Sequence, residues 1–177
     1  LILPRGVQRG GEHVLTSTGS NLADAQEVLF YEPGSEVTKI EPHGNNVKAT
    51  VKVAADCRLG EHVAQLRTAS GISDYRIFYV GALAGAVEKE PNSDFEAPQP
   101  LDLNATVEGI VQNEDVDYYQ VAAKKGQRVS VEVEGMRLGA TLFDPYVAIL
   151  DSKRFELASD DDTPLLTQDA TASMVAP

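Results

Sequence analysis

Tryptophan is absent, cysteine occurs once and histidine three times in the 177 residues. Cys57 alone cannot form an internal disulfide, so the chain must rely on ordinary apolar cores, and the thiol is most simply a small core residue. The cysteine count leaves the redox compartment open. Without Trp, and with aromatics at 6%, there is no signal of a sugar-stacking platform. None of His13, His43 and His62 stands in a His-Glu-x-x-His pair, no Gly-x-Ser-x-Gly elbow is present, and no phosphate- or dinucleotide-binding glycine pattern appears. These absences argue against catalysis. Cys57 lies between Asp56 and Arg58, charged neighbours able to perturb a thiol, but the sequence identifies no catalytic partner for it, and a Cys–His pair assembled in space stays open. No apolar run approaches the ~20 residues that cross a bilayer, so the chain is not expected to span a membrane.

Positive charge is also scarce, and unevenly so. Residues 1–84 carry eight Lys and Arg against nine Asp and Glu, whereas residues 85–177 carry seven against eighteen, so nearly all of the net −12 lies in the second half. Such a field repels nucleic acid and anionic membranes and attracts divalent cations or basic partners. The sequence opens at Leu1 rather than Met, which fits a processed or partial chain.

What is present is strand after short strand. At this length two domains of about 80 to 90 residues are the expectation. Val14–Thr16, Val28–Tyr31, Val37–Ile40, Val47–Val53, Val63–Leu66 and Ile77–Val80 read as strands, separated by turn signals such as Pro33-Gly34 and Leu59-Gly60. The clearest is Val47–Val53, where Val, Ala, Val and Val alternate with Lys, Thr and Lys, as a sheet with one wet face requires. Residues 83–87, small and flexible in composition, read as a linker. Beyond them Thr106–Ile110, Tyr118–Ala122, Arg128–Glu134 and Tyr146–Leu150 read as strands, with Lys124-Lys125-Gly126 a hairpin turn. The predicted class is all-β, two tandem β-sandwich domains over residues 1–82 and 88–177.

Between these domains sits the most informative stretch, Glu88-Lys89-Glu90-Pro91-Asn92-Ser93-Asp94. Pro91 disfavours a helical Glu90, and in extended chain residues two apart share a side. Glu88, Glu90 and Asn92 therefore face one way, able to hold a hard cation such as calcium against the second acidic segment, Asn113-Glu114-Asp115-Val116-Asp117-Tyr118-Tyr119. The competing reading is solvated carboxylates flanking strands, and both stay open. Asp160-Asp161-Asp162 reads as a wet turn, since no EF-hand spacing follows it. Tyr118, Tyr119 and Tyr146 are candidates for a ligand-contact face, with strand packing as the default for at least one of the adjacent pair.

The first 82 residues resemble an IPT/TIG immunoglobulin-like domain, through Pro4 to Gly11 leading into a strand, Thr18-Gly19-Ser20-Asn21-Leu22 before Val28-Leu29-Phe30, and the closing Phe78-Tyr79-Val80. The resemblance implies a spacer or interaction module. Residues 88–177 resemble the bacterial pre-peptidase C-terminal domain, a jelly-roll-like β-sandwich of exported proteins. The carriers are Glu90-Pro91-Asn92 through Phe95, Asp115 to Val121, Lys125 to Val131, Asp144 to Asp151, Ala158 to Asp162 and Ala176-Pro177. The pairing of the two looks like exported proteins of planctomycete-type bacteria. Collagen-binding relatives of the second domain hold calcium with an acidic linker and an Asp-rich turn, which implies Glu88, Glu90, Asn92, Asp115 and Asp117 as ligands here; Ser93 stands where some relatives carry Asp. The family closes its sandwich with a further strand after Ala-Pro, so the resemblance implies an open edge after Pro177, completed by further C-terminal chain or a neighbouring chain.

The expected role is non-catalytic binding and spacing at the cell surface or matrix, with a protein or polysaccharide partner and calcium stiffening the region. Two alternatives are an accessory region of a secreted peptidase whose catalytic domain lies elsewhere, and a subunit of a surface lattice or filament.

Overall fold

A computed structural model describes residues 1–112, 114–139 and 142–177. Strands are β1 (Ile2–Leu3), β2 (Gly6–Gln8), β3 (Glu12–Thr18), β4 (Ala25–Phe30), β5 (Ser35–His43), β6 (Asn46–Val53), β7 (Gly60–Thr68), β8 (Arg76–Gly81), β9 (Ala84–Val87), β10 (Gln99–Leu101), β11 (Ala105–Glu108), β12 (Tyr119–Val121), β13 (Arg128–Glu132), β14 (Val147–Leu150), β15 (Glu156–Asp160) and β16 (Thr171–Val175). With 48% strand and 2% helix, the chain is all-β. It divides into two units, Leu1–Glu88 with Asn104–Gly109, and Lys89–Leu103 with Ile110–Pro177.

In the first unit, two four-stranded sheets, β1-β3-β6-β5 and β2-β8-β7-β4, enclose one core. The alternation of β6 does what its pattern requires: Val47, Ala49, Val51 and Val53 are buried while Lys48 and Lys52 are exposed. Leu15 joins them from the same sheet, and Val28, Ala64, Leu66, Phe78 and Val80 meet them from the other. Each large side chain so buried contributes about 1.5–3 kcal/mol. The Pro33-Gly34 turn signal has a second cause besides the turn itself. Gly34 sits at φ +105°, and a Cβ there would lie 2.7 Å from the Cys57 sulfur, so no larger residue fits between turn and core.

Residues 84–87 are not a loose linker. They form β9, which pairs in parallel with β11, Ala84 opposite Ala105 through Val87 opposite Glu108. Small side chains, read as flexibility, are equally suited to pairing with a segment some twenty residues downstream, a partner that local composition does not announce. This pairing assigns 104–109 to the first unit, where Glu108 Oε1 accepts the Arg5 amide at 2.5 Å. The division is therefore discontinuous rather than a single crossing near residue 85.

Among the described residues the second unit contains three strand pairs: β10–β12 parallel, β13–β16 antiparallel and β14–β15 antiparallel. Lys124–Gln127 does turn, with the Gln127 amide donating to the Lys124 carbonyl at 2.9 Å, but it joins β12 to β13, which belong to different pairs, so it is no hairpin. In β13, Val129 and Val131 lie opposite Met174 and Ala172, while Ser130 meets Ser173 on the wet side, their hydroxyls 2.8 Å apart. Asn113, part of the second acidic segment, lies outside the described residues.

Candidate metal centre

The backbone around Asn92 is stitched to the Asp117 segment. The Tyr118 amide donates to the Asn92 carbonyl at 2.8 Å, and the Gln99 amide to the Tyr118 carbonyl at 2.9 Å, continuing into the β10–β12 ladder. The buried Gln99 turns its side-chain oxygen back to the Lys89 amide at 2.7 Å. Residues 89–99 are thus pinned along 118–121 at several points, and this brings acidic side chains together that lie 27 residues apart in sequence.

Glu88, Glu90 and Asp117 each place a carboxylate oxygen within 4.8 Å of the other two. Asn92, only 1% exposed, lies beside them. One atom of its terminal amide is 2.8 Å from Glu90 Oε2 and 3.2 Å from Asp117 Oδ1. With the amide nitrogen there, Asn92 donates to both carboxylates. With the oxygen there, three acceptors converge, an arrangement only a cation makes favourable. The Glu90 carboxylate also accepts the Asn92 amide N–H at 3.0 Å, an Asx-like closure across Pro91. Carboxylate and carboxamide oxygens alone make this a donor set for a hard cation, completed to six or more ligands by water.

Asp115 does not join this group. Its Oδ1 accepts the Ser93 hydroxyl at 3.2 Å and its Oδ2 the Gln112 amide at 3.2 Å. Alternation puts Asp115 and Asp117 on one side of an ideal extended chain, but in this turn each carboxylate has found a different partner. Ser93 thus holds Asp115. Asp160 also has a structural use: its carboxylate accepts the Thr163 hydroxyl and the Thr171 amide, and the Thr163 bond leads the effects that hold its pKa below the ordinary range. It ties β15 to the start of β16.

Of the three tyrosines, Tyr118 is packed edge-on to Phe95, ring centroids 5.8 Å apart, with the Arg154 guanidinium over both rings and donating to the Tyr118 hydroxyl at 3.2 Å. Tyr119 is half-buried in β12 opposite Gln99, and Tyr146 is 62% exposed with its hydroxyl donating to Glu156 at 2.8 Å.

Two groups escaped the sequence. Asp169 is fully buried and accepts the Gly135 amide at 3.0 Å, the Met136 amide at 2.7 Å and the Arg137 Nε at 2.6 Å. Burial pushes its carboxyl up, but the Arg137 and backbone hydrogen bonds outweigh that and hold it below the ordinary range. Arg137 bridges onward to Glu132 at 2.6 Å. The partners of Asp169 lie more than thirty residues upstream, so nothing local marks it. The other group is a cysteine–histidine pair: Cys57 Sγ lies 4.0 Å from His62 Nε2. That nitrogen is 2.7 Å from the Arg58 carbonyl, which can only accept, so Nε2 carries a proton and has no lone pair for the thiol. With Cys57 and His62 both about 97% buried, the pair packs the core of the first unit.

The sequence matches no protein-family model and no curated protein. Among solved structures the chain is similar to the Bacteroides ovatus mixed-linkage glucan utilization locus SGBP-B, determined in complex with a mixed-linkage heptasaccharide. The TM-score is 0.35 at 10% identity, over 99% of this chain and 34% of that one, so this chain spans about a third of that protein's length.

Proposed function

We propose that this chain is a non-catalytic binding and spacing region of an exported protein, an IPT/TIG-like unit followed by a pre-peptidase C-terminal-like unit, and that it binds calcium through Glu88, Glu90, Asn92 and Asp117. The observation that carries the metal reading is the convergence of the Glu88, Glu90 and Asp117 carboxylates, two of which, Glu90 and Asp117, meet the buried Asn92 amide, whose oxygen and nitrogen can exchange places with the state of the site. Bound calcium neutralises like charges otherwise held close, and ties the 88–92 segment to Asp117, stiffening it. The absence of nucleophile–base motifs and the occupied proton of His62 support a role without chemistry.

The test is a thermal melt of the full chain with and without calcium. At a hundredfold excess over Kd, binding to the folded state adds about 2.7 kcal/mol, which raises the Tm by several degrees. Glu90→Ala and Asp117→Ala should each abolish the rise, while Asp115→Ala should retain it. An unchanged melting curve across millimolar calcium rejects the site.

A further inference from the structure

A sheet edge is a row of unpaired N–H and C=O groups that another strand can pair with unless something blunts it. Two edge strands of the first unit, β5 and β4, are blunted. β5 carries Glu36, Lys39, Glu41 and Pro42, and its register with β6 skips Thr38, so the extra residue of the irregularity lies on the edge strand itself. β4, one edge of the other sheet, carries Glu27 and likewise skips Gln26 in its pairing with β7.

β14 has none of these devices. Val147-Ala148-Ile149-Leu150 contains no charge and no proline, and among the described residues it is hydrogen-bonded into a sheet on one side only, to β15. Its pairing has an irregularity too, but there the extra residue, Leu157, sits on β15 and leaves β14 regular. All four β14 side chains are half-buried, so neither face of the strand is a wet face. Phe155 and Leu157, in the adjoining turn and on β15, are exposed.

The charges nearby choose the occupant. Asp144 precedes β14, Asp151 follows it, and Asp160, opposite Val147, opens the run Asp160-Asp161-Asp162; the cations of the turn after β14 are Lys153 and Arg154, and Arg154 is drawn onto Phe95 and Tyr118. The second unit as a whole carries seven Lys and Arg against sixteen Asp and Glu. A second copy would bring the same net negative charge to this edge, where five aspartates outnumber Lys153 and Arg154, so like charges oppose self-pairing. We propose that the outer edge of β14 is a strand-addition site for a partner protein's extended segment, apolar over the length of β14 and flanked by Lys or Arg. Main-chain hydrogen bonds supply the ladder, and the flanking cations meet the aspartates. This site does not depend on the calcium reading.

The test uses the isotope-labelled full chain and three synthetic peptides. The first has a Val-Ile-Val-Thr centre with paired Lys at each end; the second replaces every Lys by Glu; the third keeps the Lys but methylates alternate backbone nitrogens of the centre. The Lys peptide should slow amide exchange in β14 and bind about tenfold or more tighter than the Glu peptide at low salt, the gap narrowing as salt is added. The methylated peptide should not bind. Four results overturn the proposal: no binding of the Lys peptide, equal binding of the Lys and Glu peptides, binding that survives methylation, or outer-edge β14 amides already protected in the peptide-free chain. A concentration-dependent dimer that protects the β14 amides also overturns it, in favour of a second copy.

Discussion

The two units of this chain are held together by different physics. In the first, Phe78, Val51, Val47 and Val80 are at most 1% exposed and belong to a core shared by two sheets. In the second, no Val, Ile, Leu, Met, Phe or Tyr among the described residues is fully buried; what is buried is Asn92, Gln99, Asp169, Ala170 and Ala172, with Gly135 and Pro145. The first unit is organised by apolar area, whereas the second buries polar side chains that bind backbone, Asp169 the Gly135 and Met136 amides and Gln99 the Lys89 amide. Apolar burial is insensitive to pH and ions, whereas buried carboxylates are not, so the units should respond to different perturbations.

The comparison breaks most sharply on a pair of truncations. Phe78→Ala should cost the first unit about 3–5 kcal/mol, as for any large core side chain. Asp169→Ala should cost the second a similar amount, about 3–5 kcal/mol, because it breaks a buried ion pair, leaves the Gly135 and Met136 amides without their acceptor and reduces Arg137 to its Glu132 partner. Hydrogen exchange reads each locally, at β6 amides for the first and β16 amides for the second. A loss of protection in β16 much smaller than that in β6 would show that the second unit does not depend on its polar anchor.

Acid should separate the units next. The Asp169 carboxyl is held below its ordinary value of 3.8, so its contribution is fully present above that value and is lost as pH falls through the lower, folded one. Protection of β16 should therefore decline below about pH 4, more steeply than protection of β6, and Asp169→Asn should remove much of the difference. The smallest effect concerns Arg154, held at φ +67° over the Phe95 and Tyr118 rings. Arg154→Ala should cost about 1 kcal/mol and shift the Tyr118 ring resonances, a modest loss because the guanidinium is exposed.

The alternating residues of β6 and the chain order of β3 to β8 were readable because a one-sided core imprints a period of two on the residues that face it. β15 and β16 were not read as strands, since Glu-Leu-Ala-Ser-Asp and Thr-Ala-Ser-Met-Val bury little and so carry little pattern. In the acidic cluster, Glu88, Glu90 and Asp117 were legible as oxygen donors. The departure of Asp115 toward Ser93 and Gln112 was not, because it depends on the path of a turn.

Composition and local pattern by themselves determined the all-β class, the acidity of the second half and the oxygen-rich stretch at Glu88–Asn92, since these reside in residue type and near-neighbour spacing. Only the tertiary structure decided that Ala84–Val87 is a strand rather than a linker, that Asp169 is an internal anchor, that His62 meets Cys57 with its proton already committed, and that β14 keeps a bare edge. Each of those depends on a partner met in space, and a hydrogen bond between residues tens of positions apart leaves no mark on the sequence around either one.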